Sequence, residues 1–501
     1  MGERERRIRR HYSLSDTFFR VHVELTWQRV VFLAVLATLW ATIDLRAGIG
    51  PHDEGLMLQW GHRIAGGEWP YRDFWVNYLP GAPLLQAALG DSLVTWRVVR
   101  AIVCGVTAVL AYLLVRRETT NDRWALAAWA GVTAAMAWPL TPGPTAPSVM
   151  FAFGALLGGR RRPGLAGALA ALAFLFRPEV GVAAALGAWW LGGREAEGRP
   201  ARLWAWFGGV ALLGMLPFLV VSPWDFLSQT FGFAFKQHLQ HLPFPIAPHT
   251  TDPNKVLERD FPALLVVFTV VWAVASWPAR RGMALLPLMV VGLLYLLART
   301  DEFHLVPLAA VLAIALAAGA AREVRTPWKI ALAVGLGVIV LHGADRMLGK
   351  VQDGTNMAGV NLPGIEGVRT DQDDAHALED LATEANRITK PGSYMLSAPP
   401  RYDRVRVGDT LLYTLLRREN PTRYDVVQPG VVTTAKVQRE MARDLERTKT
   451  PLVVRWEAPV AEMAEDNGSG RSSGVQILDD YLDAHYVRVG RYGDYLLLKR
   501  R

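Results

Sequence analysis

Residues 93–117 read LVTWRVVRAIVCGVTAVLAYLLVRR. From Ala101 to Val115 the run carries no charge, and it closes on Arg116 and Arg117. That is the length and basic stop of a helix that crosses a bilayer. Comparable apolar runs recur at 28–47, 124–140, 145–159, 164–176, 179–193, 203–222, 261–277, 282–298, 303–321 and 328–345. Of the 501 residues, 51% are hydrophobic and 20% charged, and the mean hydropathy is +0.16. Soluble domains carry about 25% charged residues, so the balance excludes an ordinary cytosolic enzyme. The expected fold class is a polytopic α-helical membrane protein of about 11 spans over residues 1–349, followed by a soluble α/β domain over 350–501.

The net charge of +8 and isoelectric point near 9.6 invite a nucleic-acid reading, but the basic residues are spread among short loops. They stand at Arg116-Arg117, Arg160-Arg161-Arg162, 194–202, Arg280-Arg281 and 322–325. That distribution sets membrane orientation and implies no nucleic-acid partner. With the arginine-rich residues 1–10 in the cytoplasm, every basic loop shares that side and the C-terminal third lies outside. The first apolar run lacks a small-residue cleavage site and reads as a retained span. Cys104, the single cysteine, excludes an intrachain disulfide and a cysteine-based zinc site.

The outer side then receives 48–92, 141–144, 177–178, 223–260 and 299–302. In the first of these, DEGLMLQWGHRIAGGEWPYRDFW (53–75) places Leu56, Trp60 and Ile64 four residues apart. The spacing predicts an amphipathic helix on the membrane surface with Asp53 as its N-cap. Asp53 and Glu54 either complement the helix terminus or hold two carboxylates at the bilayer edge for chemistry. In 223–260, His238 and His241 could share a helix face, but no acidic third ligand follows at a telling distance. With Lys236 and His249, that segment reads as a lid. In the tail, helices are expected at 371–388, 409–418, 433–448 and 475–485. Strands are expected at 394–397 and 451–456, with a terminal hairpin at 486–490 and 494–499. Residues 466–474, DNGSGRSSG, read as a mobile loop. Their GxSxG spelling lacks a preceding apolar strand, and Gly349, Gly354, Gly359 and Gly364 lack the lysine of a phosphate-cradling loop.

The 53–75 run with Leu79-Pro80-Gly81 resembles the first extracytoplasmic loop of bacterial glycosyltransferases with the GT-C fold, relatives of the protein O-mannosyltransferases and the lipid A aminoarabinose transferases. Phe176-Arg177-Pro178-Glu179-Val180-Gly181 resembles that family's basic, acidic and glycine signature between two spans. Arg299-Thr300-Asp301-Glu302-Phe303-His304 with Pro307 resembles a later outer-loop motif. Arg418 to Asp425 and Pro429-Gly430 resemble a segment of bacterial members.

The resemblance implies transfer of a sugar from a polyprenyl-phosphate-linked donor to an envelope glycan, lipid or protein outside the inner membrane, with inversion at the anomeric carbon. Asp53 matches the family's loop aspartate and would act as base or orient the acceptor hydroxyl. Glu54 would support it or join a divalent metal site for Mg or Mn. Arg177, Arg299 and His304 would stabilise the departing phosphate, with Glu179 and Asp301 beside them. Tyr71, Arg72 and Asp73 would form a sugar-binding wall.

Each of these residues also has a plainer role open to it: Arg177 a span-end residue paired with Glu179, Arg299 a surface partner of Asp301 or Glu302, His304 a helix cap, and the aromatics an interfacial belt. Two other functions compete: a transporter or flippase of a lipid-linked or anionic substrate, with Arg177, Glu179, Asp301 and His304 along its path, and a non-catalytic, membrane-anchored envelope-binding protein.

Overall fold

The computed structural model describes residues 27–137, 139, 143–159, 161–192, 199–233, 256–276, 282–322, 324–465 and 467–501. The basic N-terminal stretch, Arg160, Arg194, Arg280, Arg281, and the loop residues Lys236, His238, His241 and His249 lie outside them. Each apolar run expected to cross the bilayer is a helix, from Trp27–Ala41 to Thr326–Gly354. Four are long and apolar enough for a span, Leu93–Arg116, Pro200–Val221, Phe303–Ala320 and Thr326–Gln352. Others, such as Thr145–Gly158 and Pro163–Phe176, are about 21 Å long at 1.5 Å per residue, short of a hydrocarbon core of about 30 Å. The helices approach closely because their facing positions are alanine and glycine. Ala166, Ala170, Ala173, Ala183, Ala184 and Ala188 all lie in the buried bundle core.

Beyond Thr326–Gly354, which itself runs past the expected boundary at 349, the chain forms a mixed sheet flanked by helices. Strands β1 (Ala358–Val360) and β2 (Val368–Thr370) pair antiparallel. Strands β3 (Met395–Ala398), β4 (Leu452–Trp456), β5 (Tyr486–Tyr492) and β6 (Tyr495–Arg500) form a four-stranded sheet in the order β3-β4-β6-β5. β3 runs parallel to β4 with Leu396 opposite Val453, and β5 and β6 are the expected terminal hairpin. Helices Gln372–Ile388, Leu411–Leu416, Ala435–Thr448 and Ile477–His485 lie within two residues of the sequence reading.

Two local expectations are corrected. The helix of the first outer segment spans Asp53–Ala65, but it is not a surface helix. Glu54 to Gly61 and Arg63 are all buried, and His52, not Asp53, occupies the N-cap position. The reason is that the helix is packed on several sides: Leu56, Trp60 and Phe74 share a core with Leu396, Val453 and Leu498, while Leu58 and Leu93 share one with Leu412, Val454 and Leu497. The C-terminal layer therefore does not bury its core alone. Residues 467–474 are also not free, because Ser473 N–H donates to Asp403 O at 2.8 Å and Gly470 N–H to Val405 O at 3.1 Å; Asp466 lies outside the described residues.

Gly55 carries the closest of these approaches. A Cβ there would stand 2.2 Å from the Leu411 nitrogen, so helix Asp53–Ala65 touches the 410–416 segment with bare backbone. Substituting Gly55→Ala is expected to force the two apart and cost about 1–3 kcal/mol. A fall in the melting temperature of detergent-purified protein checks this, and an unchanged value would contradict the close fit.

Candidate active site

The amino-terminal end of helix Asp53–Ala65 is fixed by a buried ion pair. Arg97, on helix Leu93–Arg116, donates to both Glu54 oxygens at 2.8 and 2.7 Å and to the carbonyls of Leu45 and Gly48. Gly50 N–H donates to the same carboxylate at 2.8 Å. Glu54 is 1% exposed. From the other side, Thr410 and Leu411 N–H donate to Pro51 O at 3.1 and 3.2 Å, and His52 Nδ1 meets Gly408 O at 3.2 Å. These ties leave Asp53 exposed at the edge of a cavity of about 860 Å³.

Six of the residues singled out in the sequence line that cavity: Asp53, Arg177, Glu179, Arg299, Asp301 and His304. They come from three separate segments of chain. Arg177 sits between helices Pro163–Phe176 and Pro178–Gly192, its guanidinium 5.1 Å from the Tyr78 ring centroid and 5.8 Å from that of Tyr295. No carboxylate among the described residues lies within ion-pair distance of it, and its Nε has no hydrogen-bond partner. The Asp53 side chain likewise forms no hydrogen bond or ion pair among the described residues. Tyr78 lies within electrostatic reach of Asp53, Arg177 and Asp301 together. Burial pushes its phenol up, which Arg177 opposes and the two carboxylates reinforce.

The other charges of the set have partners. Arg299 Nε donates to Asp301 at 2.7 Å and Nη2 to Glu465 at 3.0 Å, and Glu465 also accepts from Arg406 at 2.7 Å. Asp301 is the N-cap of helix Glu302–Ala320, accepting from the His304 N–H, and its Oδ1 is 2.5 Å from His304 Nδ1. Burial raises the Asp301 carboxyl, but His304 and Arg299 outweigh it and hold the group below the usual carboxylate value. The Tyr295 hydroxyl bonds Glu179.

Four sequence candidates stand outside the cavity. Both Glu54 oxygens are engaged by Arg97 and Gly50, so it supports Asp53 through the helix terminus and is not turned toward a metal. Tyr71 is fully buried, its backbone held at φ 71°, its hydroxyl donating to Tyr78 O at 2.8 Å, and its ring edge-on to Phe218 and Phe226. It braces Tyr78, which does line the cavity. Arg72 and Asp73 pair with each other, and Asp73 closes a turn by accepting from Trp69 N–H. Among the described residues no three of His, Cys, Asp or Glu converge to hold an ion, and the Glu54 oxygens are taken by Arg97 and Gly50.

Sequence reasoning missed Arg100, Asn77, Tyr78, Arg406, Gln428 and Glu465, all of which line the cavity. Arg97 and Arg100 carried a legible signal, since ionisable residues in an apolar span are rarely idle. The 420–425 stretch is a clamp: Arg63 donates to the Asp425 carboxylate at 3.2 and 3.0 Å and to Thr422 O at 3.0 Å, and Asn420 donates to Asp425 at 2.8 Å.

No family model matches the chain, and no curated protein matches it in sequence. Among solved structures it is similar to the crystal structure of ArnT from Cupriavidus metallidurans bound to undecaprenyl phosphate, with a TM-score of 0.55 and 14% identity, over 94% of this chain and 98% of that one. The likeness shows the fold, a GT-C-like arrangement of the whole chain.

Two predictions follow from the supports. Removing one partner of the Glu54–Arg97 pair leaves a buried charge uncompensated, so Glu54→Leu is expected to cost about 3–5 kcal/mol; the double variant with Arg97→Leu should recover part of the loss in a thermal melt. His62 Nδ1 lies 3.0 Å from Asp91 and Nε2 3.5 Å from Glu419. The bonds to Asp91 and then Glu419 raise its pKa from 6.5 to about 10. Their stabilisation is present in full below about 6.5 and is lost as pH rises through about 10. His62→Gln should flatten the alkaline limb of melting temperature against pH.

Proposed function

We propose that the chain is a membrane glycosyltransferase that moves a sugar from a polyprenyl-phosphate carrier to an acceptor hydroxyl outside the membrane. One observation carries the reading: in a cavity whose other carboxylates are all bonded, Asp53 and Arg177 line the same space, and among the described residues no side chain bonds Asp53 and no carboxylate neutralises Arg177. The GT-C-like fold supports it, as does the undecaprenyl phosphate bound to the ArnT structure. The sidedness, N-terminus inside and residues 350–501 outside, rests on the basic loops. The eleven spans rest on the apolar runs.

In this reading the Asp53 carboxylate takes the proton of the acceptor hydroxyl as its oxygen bonds the anomeric carbon. The bond from that carbon to the phosphate oxygen breaks on the opposite face, so the configuration inverts. Charge grows on the departing lipid phosphate, and Arg177, fixed between Tyr78 and Tyr295, meets it without a competing carboxylate. Arg299 and His304 act through Asp301 and Glu465, shaping the wall on which the sugar rests. The envelope acceptor enters along the side lined by Arg406, Gln428 and Glu465.

Purified protein incubated with radiolabelled polyprenyl-phosphate sugars and envelope acceptors tests this. Transfer is expected from one donor, with Asp53→Asn reducing turnover by about 100-fold or more while leaving the melting temperature in place. Absence of transfer from every donor by folded protein, or full activity in Asp53→Asn, would overturn the proposal.

A further inference from the structure

Arg100 lines the same cavity and has no part in the reaction proposed above. It stands one turn after Arg97 on helix Leu93–Arg116 and is 6% exposed. Arg97 meets a carboxylate, but Arg100 does not. Its Nη2 donates to the main-chain oxygens of Met136 at 2.9 Å and Pro139 at 3.3 Å, and its Nη1 contacts Cys104 Sγ. Among the described residues no carboxylate lies within ion-pair distance. Its charge is met by main-chain oxygens at the carboxyl end of helix Asp122–Ala137, a partial negative charge, and an ionisable group in an apolar bundle marks a site that can take an anion.

A second element presents positive potential to the same space. Helix Thr145–Gly158 packs against helix Leu93–Arg116, and Pro144, Thr145 and Ala146 at its amino terminus line the cavity. No side chain caps that terminus; Pro144 and Pro147 carry no amide hydrogen, so the amides of Thr145 and Ala146 and the helix dipole are what this end offers to an anion in the cavity.

We propose that Arg100 and the amino terminus of helix Thr145–Gly158 form a phosphate-binding subsite for the headgroup of the lipid carrier, in the cavity that Arg177 also lines. The inference rests on the function proposed above for the identity of the carrier. The phosphate has two sources: the single phosphate of a monophosphate carrier, shared between Arg100 and Arg177, or the second phosphate of a diphosphate carrier.

Equilibrium binding of undecaprenyl phosphate and of undecaprenyl diphosphate to the full purified chain tests the subsite. Arg100→Gln removes the charge but keeps an amide able to reach the same carbonyls. Thr145→Asp places a carboxylate at a helix terminus that favours one, so a purely structural role predicts a protein at least as stable. Both variants are expected to weaken carrier binding about tenfold or more at an unchanged melting temperature. A loss seen with undecaprenyl phosphate assigns the shared phosphate; a loss confined to the diphosphate assigns the second one. Should Arg100→Gln fail to fold, Thr145→Asp decides alone. If the wild type binds a carrier and the variants bind it within about twofold of wild type, the subsite is overturned and the proposed function stands. If the wild type binds neither carrier, the proposed function falls, and the subsite with it.

Discussion

The buried ion pair between Glu54 and Arg97 is the constraint on which the cavity depends. It joins the first turn of helix Asp53–Ala65 to a long apolar helix, in surroundings where neither charge can be left alone. Because Glu54 faces inward to Arg97, its neighbour Asp53, about 100° further round the helix, faces the cavity. Adjacent carboxylates thus acquire opposite duties: one is locked into the framework, and the other is left without a partner. The hydrogen bonds from Thr410 and Leu411 to Pro51 hold the same turn from the C-terminal side. Asp53 is therefore positioned by both halves of the chain.

The cavity sorts its charges in the same manner. Asp301, Arg299, Glu465 and Arg406 form a chain of alternating sign in which each group is neutralised by its neighbour. Such a chain gives a firm polar wall and little free potential. Arg177 and Arg100 stand outside it, stacked on aromatic rings or held by carbonyls, and they keep their charge available. Under the proposed function, this division separates the groups that meet an incoming anion from those that shape the space around it.

Much of this was legible in the sequence, for identifiable reasons. Helical runs of alanine, leucine and valine ending in arginine carry their own signal, and the tail helices and the terminal hairpin follow from periodicity and turn residues. The grouping of Asp53, Arg177, Arg299 and His304 came from motif order and resemblance, and composition alone would not have joined them. What could not be read was pairing at long range. Glu54 and Arg97 are 43 positions apart, and nothing local shows that one engages the other. The burial of helix Asp53–Ala65 was hidden for the same reason: Leu56, Trp60 and Ile64 mark one apolar face, whereas the contacts of Gly55 and Leu58 with the C-terminal layer depend on residues far along the chain. Tyr71, read as a sugar-facing aromatic, looked identical in sequence to one that braces its neighbours.

The clamp of Arg63 on Asp425 spans 362 positions, and it has a meaning for biogenesis. At synthesis rates of about 5–20 residues per second, Arg63 emerges roughly 20–70 s before its partner. For that interval Arg63 has only Glu68, five residues on, as its carboxylate partner, and Leu58 lacks the C-terminal residues Leu412, Val454 and Leu497 that share its core. The helix that carries Asp53 thus reaches its final packing only with the arrival of the last third of the chain.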